Sequence, residues 1–307
     1  MASSTLASEV APGHIARVTA RKKSSPVKGT DGSPFETVLS RVDERTAGAP
    51  PPDVIPSGFP SVDRLLSGGF RAGDLVALGG DVGAGKSALA LGAAIRAAEA
   101  GHGVLFYSGE ASVDRIAERA LAIEGRARFD ELRRGTLDDG TRASVGAAAA
   151  RLRSIPLRIE RMPLVAERLV TDIQSRDGAQ LVVVDPLQML AAGGSSLDQE
   201  LATAVRQLKH VAVDADVAVL LTAHLPQLAG RVDRRPQLDD FGALGSVKQH
   251  ADVVLGLFRE AMYDPTPSLE GATELHVLKN RGGATAYADL YFYAHWTRFE
   301  DLVDPDR

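Results

Sequence analysis

An eight-residue glycine-rich segment, GDVGAGKS at residues 80–87, constrains the fold of this 307-residue chain more than any other feature. It matches the pattern GxxxxGK[ST] and lies between an apolar run at 75–78 and a helical pattern at 88–100. Glycines let successive backbone amides point at one phosphate group, and the start of the following helix adds partial positive charge. The segment therefore predicts a strand, a phosphate-binding loop and a helix, which together form a P-loop.

The predicted loop gives individual side chains a role. Lys86 would reach the β and γ phosphates of a nucleoside triphosphate, and the hydroxyl of Ser87 would bind Mg²⁺. The complete set of predicted nucleotide-binding residues is Gly80, Asp81, Val82, Gly83, Ala84, Gly85, Lys86, Ser87 and Ala88.

From about Val54 onward, apolar runs alternate with helical patterns, which is typical of an α/β domain. The predicted buried strands lie at 75–78, 104–107, 157–159, 181–184 and 217–221. Each of them except the third has a convincing helical pattern beside it. Three later runs with short connections predict strands that extend one edge of the sheet, at 253–258, 274–278 and 288–293. We therefore expect a mostly parallel central sheet flanked by helices, with added edge strands.

Composition excludes several classes of protein. The apolar runs are far shorter than a membrane span, so no membrane partner is expected. The chain contains no cysteine, which excludes disulfide frameworks, thiolate metal sites and cysteine nucleophiles and fits a cytoplasmic protein. The formal net charge is -5, so any contact with nucleic acid needs a local basic surface or backbone amides.

The first 33 residues differ in composition from the rest. They are rich in Ser, Ala, Pro and Gly, and they carry a cluster of five basic side chains between Arg17 and Lys28. This composition predicts a disordered basic arm. The arm would bind nucleic acid or a partner, or it would be a solvated tail; a transit peptide is a less favoured alternative because Glu9 and the lack of helical amphipathicity argue against it.

Residues 34–53 predict a short helix followed by a stiff linker. Phe35, Val38, Leu39 and Val42 have helical spacing over 34–46, and Ser33 is placed to cap the helix. A proline-rich stretch follows, so the helix is expected to stand away from the main body. Its apolar face would pack on a neighbouring subunit or on the surface of the protein itself.

Two acidic residues follow predicted strands. Asp185 ends the run at 181–184, where a P-loop protein places the carboxylate that orders the Mg²⁺ shell; the alternative is a turn aspartate before Pro186. Glu110 follows the run at 104–107 and is the candidate base that activates the attacking water. The alternative is an ordinary acid near a helix start, which is stabilising in any protein.

Three further candidates also lie at strand ends. His224 follows the run at 217–221 and would sense the γ phosphate, although an isolated histidine is more often structural. Lys279 and Arg281 precede two glycines and are either solvated turn cations or the charges that stabilise a transferring phosphoryl group.

Taken together, these segments resemble the C-terminal motor domain of the DnaB family of replicative hexameric helicases. The resemblance extends from about residue 34 to residue 302. The segments that carry it are the P-loop, 106–112, 183–188, 234–252, 279–281 and 297–299. It implies a RecA-like P-loop NTPase fold over 54–307, which binds ATP and Mg²⁺ between neighbouring subunits.

The resemblance also implies roles for residues at the matching positions. Lys86, Ser87, Asp185 and Glu110 would belong to one subunit. The adjacent subunit would contribute Lys279 and Arg281 in trans. His224 stands where the family usually has a glutamine that senses the γ phosphate. The helix at 34–46 matches a linker helix that docks on the next subunit.

One loop matches the DNA-facing loop of the family. Its expected DNA-binding residues are Gly242, Ala243, Gly245, Ser246 and Lys248. Gly242 and Ala243 replace a charged pair of the family, which leaves Gly245 and Ser246 as backbone donors and Lys248 nearby. Phosphate contact through amides predicts a weak salt dependence.

The implied function is a ring-forming, ATP-dependent DNA helicase that moves 5′ to 3′ on single-stranded DNA. The expected partners are single-stranded DNA, further copies of the chain as a hexamer, and a loader or another replication or recombination protein. The helical collar with which such helicases bind primase has no counterpart in these residues.

An alternative function remains open. Residues 55–58, 79–81 and 107–110 look closer to RadA/Sms-type recombination ATPases, although the zinc finger and protease-like tail of that family are missing. The chain would then be a RecA-fold ATPase that acts as a recombination or regulatory switch, as RadA or KaiC-like clock ATPases do, without unwinding duplex. A small-molecule phosphotransferase is weaker, because no segment looks like an acceptor-binding lid.

Overall fold

A computed structural model describes residues 33–48, 51, 53–191, 193, 196–225, 228 and 230–302. The predicted basic arm lies outside these residues except for Ser33. The chain divides into two units between residues 51 and 52, and each unit is described by itself.

The first unit contains helix α1, Pro34–Thr46, at the predicted bounds. The Ser33 hydroxyl accepts a hydrogen bond from the Phe35 amide at 3.3 Å, and Glu36 accepts one from the Ser33 amide at 3.3 Å. This reciprocal pair is a capping box, and Pro34 suits the first turn because a proline lacks the amide that would go unbonded there. Phe35, Val38, Leu39 and Val42 are exposed.

The second unit is built around a nine-stranded sheet with the order β11-β10-β9-β8-β3-β7-β6-β4-β5 among the described residues. Its strands are β3 Leu75–Gly80, β4 Val104–Ser108, β5 Leu157–Arg161, β6 Leu181–Asp185, β7 Ala218–His224, β8 Val253–Phe258, β9 Ala272–Asn280, β10 Tyr287–Tyr293 and β11 Arg298–Asp301. Strands from β8 to β5 pair in parallel, and β9, β10 and β11 add an antiparallel edge. A separate two-stranded ladder joins β1 Val54–Ile55 and β2 Phe70–Arg71.

Helices cover both faces of the sheet. They are α2 Pro60–Leu65, α3 Lys86–Glu99, α4 Val113–Gly125, α5 Phe129–Arg134, α6 Asp139–Ser154, α7 Ala166–Gln174, α8 Leu197–Asp214 and α9 Ser246–His250. Val76 and Leu78 of β3 join the core that contains α3. Leu75 and Ala77 join the core that contains α8. A strand buried on both faces is apolar throughout, which explains the continuous runs in the sequence.

The structure confirms the predicted fold class and corrects some of its elements. Strand β5 has α6 before it and α7 after it, whereas the sequence predicted no convincing helix there. Helix α6 is rich in alanine, so its apolar periodicity is weak. The run at 253–258 is an internal parallel strand beside β3, and among the described residues the edge is extended by β9, β10 and β11. Within the described part of the chain, no helix has both the length and the apolar content needed to cross a membrane.

Candidate nucleotide-hydrolysis site

Parallel pairing brings four of the predicted site residues to one edge of the sheet, namely Lys86, Asp185, Glu110 and His224. Gly80 at the end of β3 is in register with His224 at the end of β7. Asp185 at the end of β6 is in register with Ser108 at the end of β4. The carboxyl ends of parallel strands therefore present the P-loop, Asp185, His224 and the turn that holds Glu110 side by side, which is where open α/β sheets bind ligands.

The P-loop encloses its lysine. Lys86 is only 5% exposed, and its ammonium group donates hydrogen bonds to the carbonyl oxygens of Gly80 and Asp81, both at 2.9 Å. Burial lowers the pKa of Lys86, and the nearby carboxylates of Asp185, Asp81 and Glu110 oppose that shift. The loop thus holds one cation close to where phosphates would bind.

Two glycines give the loop its curvature. Gly83 and Gly85 have φ of +82° and +105°, a region that favours glycine. A Cβ at Gly85 would also lie 2.8 Å from the Phe299 ring. A larger residue would therefore strain the start of α3 and disturb the amides around the phosphate position.

Asp185 lies beside the P-loop serine. Its Oδ1 accepts hydrogen bonds from the Ser87 hydroxyl at 3.0 Å and from the Thr222 hydroxyl at 2.5 Å. Burial raises the pKa of Asp185, while these two hydrogen bonds oppose the shift. A hydroxyl and a carboxylate in contact are the hard oxygen ligands that Mg²⁺ takes together with phosphate oxygens, so these residues fit the ion.

Glu110 pairs with His224. Glu110 Oε1 lies 2.9 Å from His224 Nε2. Glu110 is two residues before Ser112, which is the residue that caps α4. The structure therefore gives Glu110 a partner in the candidate site, and the capping of α4 is accounted for by Ser112.

Gln188 belongs to a segment that carries the family resemblance, but it is not among the site residues predicted from the sequence. Its side chain accepts from the His224 amide at 3.0 Å and donates to the His224 carbonyl at 3.1 Å. These two bonds fix the backbone of His224 independently of its ring. The position of Gln188, three residues after Asp185, is the sequence signal that could have identified it.

Lys279 and Arg281 lie at the opposite edge of the sheet. Val253 at the start of β8 is in register with Val76 near the start of β3. Strand β9 is antiparallel to β8 and ends at Asn280. Because Leu75–Gly80 spans about 17 Å, neither cation can reach the P-loop of its own copy.

The predicted DNA-facing loop is a tight turn between β7 and β8. Residues 242–245 all have positive φ. The Gly245 amide donates to the Gly242 carbonyl at 2.9 Å, and the Ser246 amide donates to the Ala243 carbonyl. The resemblance implies that the amides of Gly245 and Ser246 are donors available to phosphate, whereas in the structure they close the turn that leads into α9.

The side chains of that loop are also paired. The buried Ser246 hydroxyl donates to the Ala202 carbonyl at 3.1 Å, and Ala243 is buried. Lys248 donates to Asp239 at 2.6 Å and is half exposed. Of the predicted DNA-binding side chains, Lys248 is thus the charged group that remains accessible.

A cavity of about 370 Å³ is lined by Arg259 and by residues of β10. The Arg259 guanidinium lies 4.4 Å from the centre of the Phe292 ring and 3.4 Å from the Gly83 carbonyl oxygen. Tyr291 and Tyr293 complete an aromatic wall. The sequence prediction did not include this wall, although the three consecutive aromatic residues Tyr291, Phe292 and Tyr293 were a visible signal.

A second aromatic side chain holds the loop from outside. The Tyr263 hydroxyl donates to Asp81 at 2.8 Å, and burial together with this bond raises the pKa of Tyr263 to about 12. The segment after β8 therefore braces the P-loop.

A family model for the DnaB-like helicase C-terminal domain matches residues 54–301. The chain belongs to this family. The replicative DNA helicase DnaB of Leifsonia xyli is 32% identical over 258 residues, which are 81% of this chain and 56% of that protein. The replicative DNA helicase DnaC of Bacillus subtilis is 28% identical over 260 residues, with the same coverage of 81% and 56%. The chain spans about half the length of these curated relatives.

Solved structures show the same fold. A DnaB-like replicative helicase, solved in a study of its interactions with primase, has a TM-score of 0.79, with 23% identity over 89% of this chain and 68% of that one. One solved ATPase domain also has a TM-score of 0.79, with 24% identity over 89% of this chain and all of that domain. RadB recombinase matches less well, with a TM-score of 0.54 and 18% identity over 81% of this chain and all of that one. The fold is RecA-like, and the predicted family is confirmed.

Proposed function

We propose that this chain is an ATP-driven DNA helicase motor, in which the site between two copies hydrolyses ATP and the assembly moves along single-stranded DNA. The observation that carries the proposal is the division of the site between two edges of the sheet. Lys86, Ser87, Asp185 and Glu110 share one edge, and Lys279 with Arg281 lies about 17 Å away. Only a second copy can bring both sets to one nucleotide.

The P-loop edge supports ATP and Mg²⁺ as cofactors. The P-loop amides and Lys86 would hold the phosphates, and Ser87 with Asp185 would hold Mg²⁺, which supplies Lewis-acid stabilisation of phosphate charge when bound. The cavity beside Arg259 and Phe292 offers a cation and aromatic faces, which suit stacking on a purine.

The Glu110 and His224 pair supports hydrolysis. A carboxylate that accepts a proton from water must be held in place and must approach the γ phosphate. The 2.9 Å contact with His224 Nε2 holds Glu110 at the tip of β7, next to the Mg²⁺ residues. In the proposed sensor role, the contact between His224 and Glu110 would change in length when the γ phosphate is present.

The other copy would supply the charge that completes the site. Arg281 and Lys279 would stabilise the charge that spreads over the transferring phosphoryl group. Helix α1 would dock its exposed apolar face on the next copy, within a ring for which the family resemblance implies six members. Residues 34–53 would then be a linker and residues 54–307 the motor, with a loader as a further partner.

Contact with DNA is proposed for the loop at 242–248. Because the amides of Gly245 and Ser246 are engaged in the turn, the contact would begin through Lys248, with the amides released only if the turn opens. With Lys248 as the accessible cation of this loop, the loop is expected to contribute only a weak dependence of DNA affinity on salt.

A helicase and an ATPase switch are distinguished by two assays on the purified full chain. A helicase hydrolyses ATP faster with single-stranded DNA and separates the strands of a forked duplex. The matched control is Lys86→Ala, which should lose both activities because the phosphates lose their buried cation. DNA-stimulated hydrolysis without strand separation would favour the RadA-like switch, and hydrolysis by Lys86→Ala at the normal rate would contradict the proposed site.

A further inference from the structure

Asp252 lies between the first residue of β3 and Arg281, and both its backbone and its side chain make bonds in each direction. Its amide donates to the Leu75 carbonyl at 2.8 Å, and its carbonyl accepts from the Arg281 amide at 2.9 Å. Its Oδ2 accepts from the Leu75 amide at 2.8 Å, and its Oδ1 lies 3.3 Å from the Arg281 guanidinium. The residue is 6% exposed.

A second cation fixes the carboxylate from the other side. Lys209 of α8 donates to Asp252 Oδ2 at 2.6 Å and to the Gly73 carbonyl at 2.8 Å. With Oδ2 bound by Leu75 and Lys209, the carboxylate has one orientation, and Oδ1 is directed at Arg281. Because the carboxylate is buried and already fixed by these bonds, it determines the position of the Arg281 guanidinium rather than the reverse.

The end of α9 contributes the remaining contacts. The Arg281 guanidinium donates to the Gln249 carbonyl at 2.7 Å. Lys279 donates to the carbonyls of Lys248 and Ala251 at 2.7 and 2.6 Å. Carbonyls at a helix C-terminus carry partial negative charge and attract cations, so α9 and Asp252 together form an acceptor set for both cations.

Arg281 itself is about half exposed, with 52% of its side chain accessible. A free arginine side chain has many rotamers, and an exposed one spends little time in any single pose. A misplacement of about 1 Å in a positioning group costs about 10²-fold in rate. The acceptor set therefore holds a half-exposed arginine in one pose, which would favour catalysis if this arginine acts on a nucleotide outside its own copy.

We propose that Asp252 is a positioning residue, which presents Arg281 to the nucleotide bound by the neighbouring copy. This inference rests on the proposed function, because it names Asp252 as the residue that positions Arg281, and the proposed function has Arg281 act on the nucleotide of the neighbouring copy. Asp252 touches neither nucleotide nor water in this role, and it acts entirely through Arg281. Nucleotide binding by its own P-loop is expected to be unaffected.

The test is Asp252→Asn in the full chain, with Asp172→Asn as the matched control. Asp172 also accepts from an arginine, Arg176, and from a second donor, the Tyr107 hydroxyl, but these bonds involve neither Arg281 nor the P-loop. Asp252→Asn should lower kcat for ATP by about 10²-fold at unchanged KM. Asp172→Asn should keep kcat within about 2-fold, since it leaves the contacts of Arg281 in place.

Mixing experiments separate a positioning role from loss of the fold. Copies with Asp252→Asn keep a sound P-loop, so mixing with Lys86→Ala copies should restore hydrolysis above the sum of the two separate activities. Mixing with Arg281→Ala copies should restore none, because both variants lack the same contribution. Recovery with Arg281→Ala, or no recovery with Lys86→Ala, would overturn the inference.

A third mixture distinguishes failure of this inference from failure of the proposed function. Arg281→Ala mixed with Lys86→Ala should recover activity if the cation acts in trans. If that mixture recovers and the Asp252→Asn mixture does not, only the inference about Asp252 is wrong. If neither recovers, the shared site itself is wrong. As a second measurement, adding Asp252→Asn to Arg281→Ala should lower kcat by less than about 2-fold; a full additional loss would contradict action through Arg281.

Discussion

The two edges of the central sheet carry different kinds of site. At the carboxyl edge, Lys86, Asp185 and Glu110 converge within one copy, where they bond to the P-loop and to the neighbouring strand ends. At the opposite edge, Lys279 and Arg281 are held by carbonyls of α9 and by Asp252. The first edge has the parts to bind a nucleotide, whereas the second has cations fixed in place with no nucleotide-binding loop beside them in the described part of the chain.

In the proposed function, this difference corresponds to a division of ATP hydrolysis between the two edges of the sheet. The carboxyl edge would bind the nucleotide and activate the attacking water, but it lacks Lys279 and Arg281, the additional cations that would stabilise the charge of the transition state. The opposite edge presents cations without a nucleotide-binding loop beside them in the described residues, so these cations would act on a nucleotide bound by another copy. Strand β3 joins them directly, since it begins at the residue bonded to Asp252 and ends at Gly80 of the P-loop.

Among changes at the carboxyl edge that leave the P-loop itself intact, Glu110→Gln has the largest expected effect. Removing the carboxylate that accepts the proton should lower kcat by about 10² to 10⁴-fold while ATP still binds. The measurement is steady-state hydrolysis together with equilibrium binding of a labelled nucleotide. Glu118→Gln is the matched control, because Glu118 is a partly exposed carboxylate of α4 beside Arg133.

Glu110→Gln also tests the comparison between the edges. Mixed with Lys86→Ala copies it should recover no activity, because both changes damage the same edge. Recovery would show that Glu110 serves a neighbour's nucleotide. Unchanged kcat in the single variant would return Glu110 to the role of an acid before a helix.

A smaller effect is expected at His224. His224→Ala removes a hydrogen bond to a charged group and should lower kcat by about 10 to 100-fold. His224→Gln should stay within a few-fold of the parent, since a glutamine amide also donates to Glu110 and the bonds of Gln188 to the backbone remain. His102→Gln, which changes a histidine bonded to Gln180, is the control. Equal losses for His224→Gln and His224→Ala would contradict a simple holding role for the ring.

Much of the carboxyl edge could be predicted from the sequence because each of its residues follows an apolar strand. Strands buried on both faces give continuous apolar runs, and parallel strands end at a common edge, so Asp185 and His224 could be placed without coordinates. Helix α1 was predicted to its terminal residues because Ser33 and Pro34 mark its start.

Other features depend on long-range pairing that a sequence pattern does not display. Nothing near Asp252 in sequence signals that Leu75 and Lys209 bind its carboxylate. Glu110 and His224 are 114 positions apart in the sequence. They meet because the strand order places β7, β6 and β4 side by side, which the sequence pattern does not display. Gly245 and Ser246 were predicted to offer backbone amides because the loop matches the DNA-facing loop of the family, and the sequence does not display the hydrogen bonds that engage them within the turn.

The most direct test of the shared site is to image the assembled full chain with Mg²⁺, ADP and fluoroaluminate, which imitates the transferring phosphoryl group. The account predicts the nucleotide on Lys86, Ser87 and Asp185 of one copy, with the Arg281 guanidinium of the adjacent copy within hydrogen-bond distance of the fluoroaluminate. A nucleotide bound in the P-loop with only one copy of the chain around it would contradict the account.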